Sequence, residues 1–115
     1  MKKLSVVLAT LNEEKRLPKC LDSVRDIADE IIVVDGSSTD KTTDVARKYG
    51  AKVIVVKNRQ IFHINKQKAI DLATKDWVLQ LDADEIVSSE LANEIKSCAF
   101  LNMITSLSIK IKNIV

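Results

Sequence analysis

The chain has 115 residues, 46% of them hydrophobic and 30% charged, with 18 basic and 16 acidic side chains and a formal net charge of +2. That length fits one domain or a piece of one and excludes two. With only 2 Gly, 1 Pro and 3% aromatic residues, collagen-like, mucin-like and disordered chains are excluded, and a base-stacking nucleic-acid module is disfavoured. The balance of charge leaves no electrostatic footprint for nucleic acid or anionic lipid.

The first apolar run, residues 4–11, is interrupted by Ser5 and Thr10 and is too short to span a membrane, so no transmembrane segment is expected. The two cysteines, Cys20 and Cys98, are far apart and make no metal-ligand spacing; they fit reduced thiols in a cytoplasmic protein.

Residues 4–9 (LSVVLA) have no helical period and predict a buried strand. A loop follows, with Asn12 as an expected helix N-cap and Glu13 and Glu14 where a helix dipole favours acids. Leu17, Cys20, Leu21 and Val24 recur at helical spacing, with Pro18 near the first turn. Residues 30–35 (EIIVVD) predict a second buried strand, ending in the turn-rich run Gly36-Ser37-Ser38-Thr39-Asp40. Thr39 or Asp40 is placed to cap a helix through Lys48, and Gly50 to end it. Residues 52–56 predict a third strand, residues 61–74 a helix, and residues 76–81 a fourth strand that runs into Asp82-Ala83-Asp84-Glu85. Ser88 or Ser89 caps a last helix through about residue 97.

Four strands alternating with four helices and short connections give an α/β fold. A mostly parallel sheet of order 3-2-1-4 is expected, with helices on both faces. Ligands bind such sheets at the carboxyl ends of the strands. The polar clusters fall there: residues 10–13, 35–40 and 82–85.

Asp82 and Asp84, one residue apart in an extended segment, would point to one side and could share a hard divalent cation. An arbitrary Asp-x-Asp is more often a solvated acidic turn; its place beside two other polar loops favours the cation here. Asp35 could accept a hydrogen bond from a base N–H, while Gly36 lets a ligand approach the backbone. Thr10 and Asn12 could contact a base or ribose. Asn12 and Glu13 have equally plain roles as a cap and a dipole acid. His63, the only histidine, has no visible orienting partner and reads as a packing or solvent-facing residue. Lys66 or Lys68 could reach a diphosphate, Lys68 being the more ordinary solvated residue. Residues 107–112 (LSIKIK) alternate with period two, consistent with an antiparallel edge strand or a disordered end.

Taken in order, residues 4–14, residues 31–40 with their VVDGSSxD loop, and residues 80–85 resemble family 2 glycosyltransferases of the Rossmann-like GT-A fold. The nearest flavour is the subgroup that builds lipopolysaccharide core or other surface glycans. The resemblance runs to about residue 96. It implies inverting transfer of a sugar from a nucleotide-diphosphate sugar, usually a UDP-sugar, to a glycan or lipid-linked acceptor. Thr10, Leu11, Asn12 and Glu13 would hold the nucleoside, and Asp35, with Gly36 and Ser37, the base. Lys66 would lie near the phosphates or the sugar. Asp82, with Ala83, would touch the ribose or metal-bound water, and Asp84, aided by Asp82, would ligate Mg2+ or Mn2+. Location at the inner face of the membrane would follow from a lipid-linked acceptor.

Two departures from the family pattern are small: Ala9 stands where Pro is usual, and Lys75 where Gly precedes the fourth strand. The larger one is length. Residues 1–97 correspond to the donor-binding subdomain and residues 98–115 to a divergent tail, so the acceptor half is expected to be absent. With no Asp or Glu in residues 97–115, the catalytic residue, a general base, is unassigned; Glu85 and Glu90 match no base motif. An Ile/Lys/Asn-rich tail fits out-of-frame reading after a frameshift. The rival is an inactive nucleotide-binding fragment. A phospho-receiver is disfavoured, because the first strand ends in Ala9-Thr10 rather than an acidic pair. A sheet cut at its fourth strand would expose an apolar edge, to be covered by the tail or by self-association.

Overall fold

The computed structural model describes residues 3–57 and 62–101, with side chains through residue 97. Its elements are β1 (Leu4–Thr10), α1 (Leu17–Val24), β2 (Glu30–Asp35), α2 (Thr42–Lys48), β3 (Lys52–Val55), α3 (Phe62–Leu72), β4 (Trp77–Leu81) and α4 (Ser89–Leu101). The four strands are parallel and lie in the order β3-β2-β1-β4, as expected from the alternation. Thr10 pairs with Asp35 at the carboxyl ends of the two central strands, and Leu8 with Leu81 across β1 and β4.

Every residue of β1 and β2 is buried because helices cover both faces of the sheet. The strand period of two sorts their side chains. Val6, Leu8, Val33 and Leu81 face Leu17, Cys20 and Leu21 of α1, Ala46 of α2, and Leu91 and Ile95 of α4. Val7, Ile32 and Val34 face the other way, onto Ala69 of α3, with Ile54, Ile70 and Val78 around them. Each fully buried Val or Leu contributes about 1.5–3 kcal/mol, so the two central strands anchor the fold.

The helix ends show which local expectations hold. Ser88 Oγ accepts the Leu91 amide at 3.1 Å, the expected cap of α4. Gly50 follows α2 at φ +80°, donating its amide to the Arg47 carbonyl at 3.0 Å, while the Ala51 amide reaches the Ala46 carbonyl at 3.2 Å. This is a Schellman ending, as the glycine predicts. Asn12, however, caps nothing. α1 starts later, behind Arg16, without a side-chain cap, and Asn12 sits at φ 53° in the loop. The acids Glu13 and Glu14 therefore precede the helix instead of lying in its first turn. At α2 the cap position is Lys41; Asp40 helps from one residue earlier, accepting the Thr42 amide at 2.9 Å.

α3 stops at Leu72, short of the expected Thr74, because Thr74 is taken up elsewhere. Its amide and hydroxyl donate to the Glu30 carboxylate at 2.9 and 2.8 Å. Ser5 Oγ donates to the same carboxylate at 2.7 Å and Lys52 Nζ at 3.1 Å. Burial opposes charge on Glu30, but these partners outweigh it and lower its pKa to about 2. At the far end of the fold, α4 continues to Leu101, past the expected boundary at residue 97. The alternating segment 107–112 lies outside the described residues.

Candidate functional site

Two loops close over the carboxyl ends of β1 and β2. Asp35, 0% exposed, accepts the Thr10 hydroxyl at 2.7 Å and the Ser38 hydroxyl at 2.6 Å on Oδ1, and the Ser38 amide at 2.7 Å on Oδ2. Ser38 in turn accepts the Asn12 amide at 2.8 Å, and Asn12 Oδ1 accepts the Thr39 amide at 2.8 Å. The left-handed turn at Asn12 aims its side chain at the second loop. Further along, the Glu13 amide donates to Thr42 Oγ1 at 2.8 Å, and the Glu14 carboxylate accepts the Lys41 amide at 3.2 Å. Gly36 donates its amide to the Thr10 carbonyl at 2.9 Å, extending the ladder by one bond. Ser37, at φ 68°, turns the chain and donates its hydroxyl to the Val56 carbonyl at 2.6 Å. Thr10, Asn12, Asp35, Gly36 and Ser37 are thus gathered at one sheet end, and Asp35 is closed inside it. A depression of about 490 Å³ beside them is lined by Asn12, Glu13, Glu14, Lys15, Arg16 and Asp40. Arg16 pairs with Glu13 there at 2.5 Å.

The third polar segment follows β4. The strand ends at Leu81, so Asp82 and Asp84 belong to a turn and not to an extended strand, which corrects the expectation from period two. The turn is closed twice: the Glu85 amide donates to the Asp82 carbonyl at 2.9 Å, and the Asp82 amide to Glu85 Oε1 at 2.7 Å. Ala83 points into the core and Asp84 is exposed. Glu85 is 7% exposed, and its pKa is raised by burial and by the charges of Asp82 and Asp84. Lys66 of α3 reaches Asp82 Oδ1 at 2.8 Å, and the Gln80 amide reaches the same oxygen at 3.3 Å. Cys20 Sγ donates to the Asp82 carbonyl at 3.6 Å from below.

Ser38, Glu85 and Arg16 are the residues that sequence patterns do not single out. Ser38 has a signal: a serine three residues after an Asp at a strand end closes an Asx-type turn. Glu85 has none, since its inward rotation depends on the turn. Among the described residues no group of three or more His, Cys, Asp or Glu is arranged to hold a metal ion. What is present is a pair of carboxylates on one turn, one exposed and one about half exposed. Those hard oxygen donors with an open face suit a Mg2+ or Mn2+ that keeps positions for phosphate oxygens.

The architecture defines a Rossmann-like α/β unit of the GT-A type, with polar loops converging at the carboxyl ends of β1, β2 and β4. Residues 5–96 match the family described as "Glycosyl transferase family 2", and the chain belongs to that family. Among its relatives is an uncharacterized glycosyltransferase of Rickettsia typhi, 47% identical over 96 residues, covering 84% of this chain and 32% of that protein. Glycosyltransferase SunS of Bacillus subtilis is 39% identical over 90 residues, covering 76% of this chain and 21% of that protein. The chain spans about a third of the length of the rickettsial relatives it matches. The crystal structure of S. aureus TarS 1–349 superposes with a TM-score of 0.73 at 28% identity, covering 83% of this chain and 31% of that one. The M. tuberculosis glucosyl-3-phosphoglycerate synthase superposes with a TM-score of 0.58 at 27% identity, covering 74% of this chain and 36% of that one. That synthase was crystallised with Mn2+, UDP and glucosyl-3-phosphoglycerate. No helix among the described residues is long and apolar enough to cross a membrane.

Proposed function

We propose that this chain binds the donor, a UDP-sugar, for an inverting glycosyltransferase acting on a glycan or lipid-linked acceptor of the cell surface. Such an enzyme would work in the cytoplasm, at the inner membrane face when its acceptor is lipid-linked. The observation that carries this reading is the convergence of the Thr10–Asp35–Ser38 network and the Asp82–Glu85 turn at one sheet end. A buried acceptor suits a base N–H, a lysine the diphosphate, and two carboxylates on a turn the cation that accompanies a diphosphate.

In this reading the loop at residues 10–13 walls the nucleoside. Asp35, whose carboxylate oxygens have acceptor capacity beyond their present bonds, accepts a base N–H once the Ser38 loop moves to expose it. Lys66 faces the diphosphate, and Ala83 keeps the acidic turn seated in the core. Asp84, with Asp82, would hold Mg2+ or Mn2+. A bound ion would neutralise charge on the leaving diphosphate as a Lewis acid. The general base that activates the acceptor hydroxyl is assigned to no described residue.

Calorimetric titration of UDP with and without Mn2+, on the chain and on Asp84→Ala, tests the reading. Metal-dependent binding lost in the variant supports it, and binding indifferent to both overturns it. The alternative is nucleotide binding without transfer. Release of sugar from a UDP-sugar to an added acceptor separates the two.

A further inference from the structure

The Asp82 carboxylate already holds a cation. Its Oδ1 accepts the Lys66 ammonium at 2.8 Å and the Gln80 amide at 3.3 Å. The two charged groups come from opposite sides of the sheet's end, Lys66 from α3 on one face and Asp82 from the turn leading to α4 on the other. Their side chains are 34% and 48% exposed. The pair therefore sits at the rim, where either partner can exchange without unpacking the core.

A divalent ion and an ammonium make the same demand on a carboxylate oxygen. An ion held on Oδ1 would share that oxygen with an ammonium still in contact, and like charges so placed repel. Building on the donor-site reading above, we infer that Lys66 is a resident counter-cation of Asp82, which leaves it for the diphosphate when metal and nucleotide bind together. Metal alone, where it takes Oδ1, displaces Lys66 and strands its charge. With a diphosphate present the displaced ammonium gains a new anionic partner. Metal and UDP consequently bind with positive coupling to which Lys66 adds a share beyond the attraction of metal for diphosphate, and the coupling factor is the same whichever ligand is added first.

The test is Mn2+ binding followed by the electron paramagnetic resonance of the free ion, with and without UDP, and UDP binding with and without Mn2+. The proteins are the wild type, Lys66→Met and Lys66→Arg, each checked by thermal melting. The wild type should bind Mn2+ at least about 10-fold more tightly in the presence of UDP, within the range of ordinary coupling. Lys66→Met should bind Mn2+ alone more tightly than wild type, with a coupling factor clearly smaller than that of wild type. Lys66→Arg should keep most of the coupling. A general field effect of the lysine charge would shift Mn2+ affinity equally with and without UDP. Unchanged coupling in Lys66→Met therefore overturns the inference while leaving the donor site standing. Failure of folded wild type and both variants to bind Mn2+ even with UDP overturns the donor-site reading and this inference with it.

Discussion

The Thr10 hydroxyl donates to the Asp35 carboxylate at 2.7 Å, tying the last residues of adjacent central strands together at a point with 0% exposure for both. Asp35 also receives two bonds from Ser38, so a buried carboxylate is held by three donors, one from the end of β1 and two from the loop after β2. Thr10→Val keeps the shape and removes one of them. We expect the variant to lose about 1–2 kcal/mol of stability, the usual cost of stripping a donor from a buried charge. Urea unfolding of the pair measures it. A variant as stable as wild type would mean that Ser38 alone satisfies the carboxylate.

Glu30 gives the fold an acid limit. Its pKa is about 2 against an ordinary 4.5, because hydrogen bonds from Ser5, Thr74 and Lys52 overcome the penalty of burial. A depressed carboxylate pKa stabilises the fold fully above its unfolded value, and this is lost as pH falls towards the folded value. The contribution should therefore stand above about pH 4.5 and drain away towards about pH 2. Glu30→Gln should cost about 2 kcal/mol near neutral pH, and the gap to wild type should narrow on acidification. Stability curves of both proteins against pH check this; a gap independent of pH would contradict it.

Cys20 lies under the acidic turn, fully buried, with its thiol pKa pushed up to about 12 by burial first and then by Glu85, Asp84, Asp82 and Glu13. The thiolate is the reactive form. In the folded protein near neutral pH, Cys20 should react with a thiol reagent on the order of 100-fold more slowly than in denaturant. Peptide mapping distinguishes it from Cys98. Fast native labelling of Cys20 would mean that the turn and α1 open readily.

The sheet was legible because its strands are short β-branched runs with few competing patterns. Their alternation with helices, together with right-handed crossovers, leaves little choice but the observed order. Gly50 and Ser88 were legible for the same reason: each satisfies a helix end by purely local chemistry. Asn12 was misread because a local cap competed with a partner 27 residues away, the Thr39 amide, and the distant partner won. The pair Asp82 and Asp84 was placed at the right end of the sheet, but its geometry comes from Glu85 folding back on Asp82. Lys66 was flagged by its position; that it meets Asp82 follows only from α3 and β4 sharing a sheet end. The role of Glu30 was invisible, since its partners come from β1, β3 and the segment after α3.

The most direct test of the donor-site account is the heat of UDP binding to the purified chain with Mn2+, with chelator in place of Mn2+, and with Mn2+ on Asp84→Ala. The account predicts saturable binding in the first case and a loss of at least about 10-fold in affinity in the other two, about 1.4 kcal/mol. Equal binding in all three, or none in a chain shown to be folded, would contradict it.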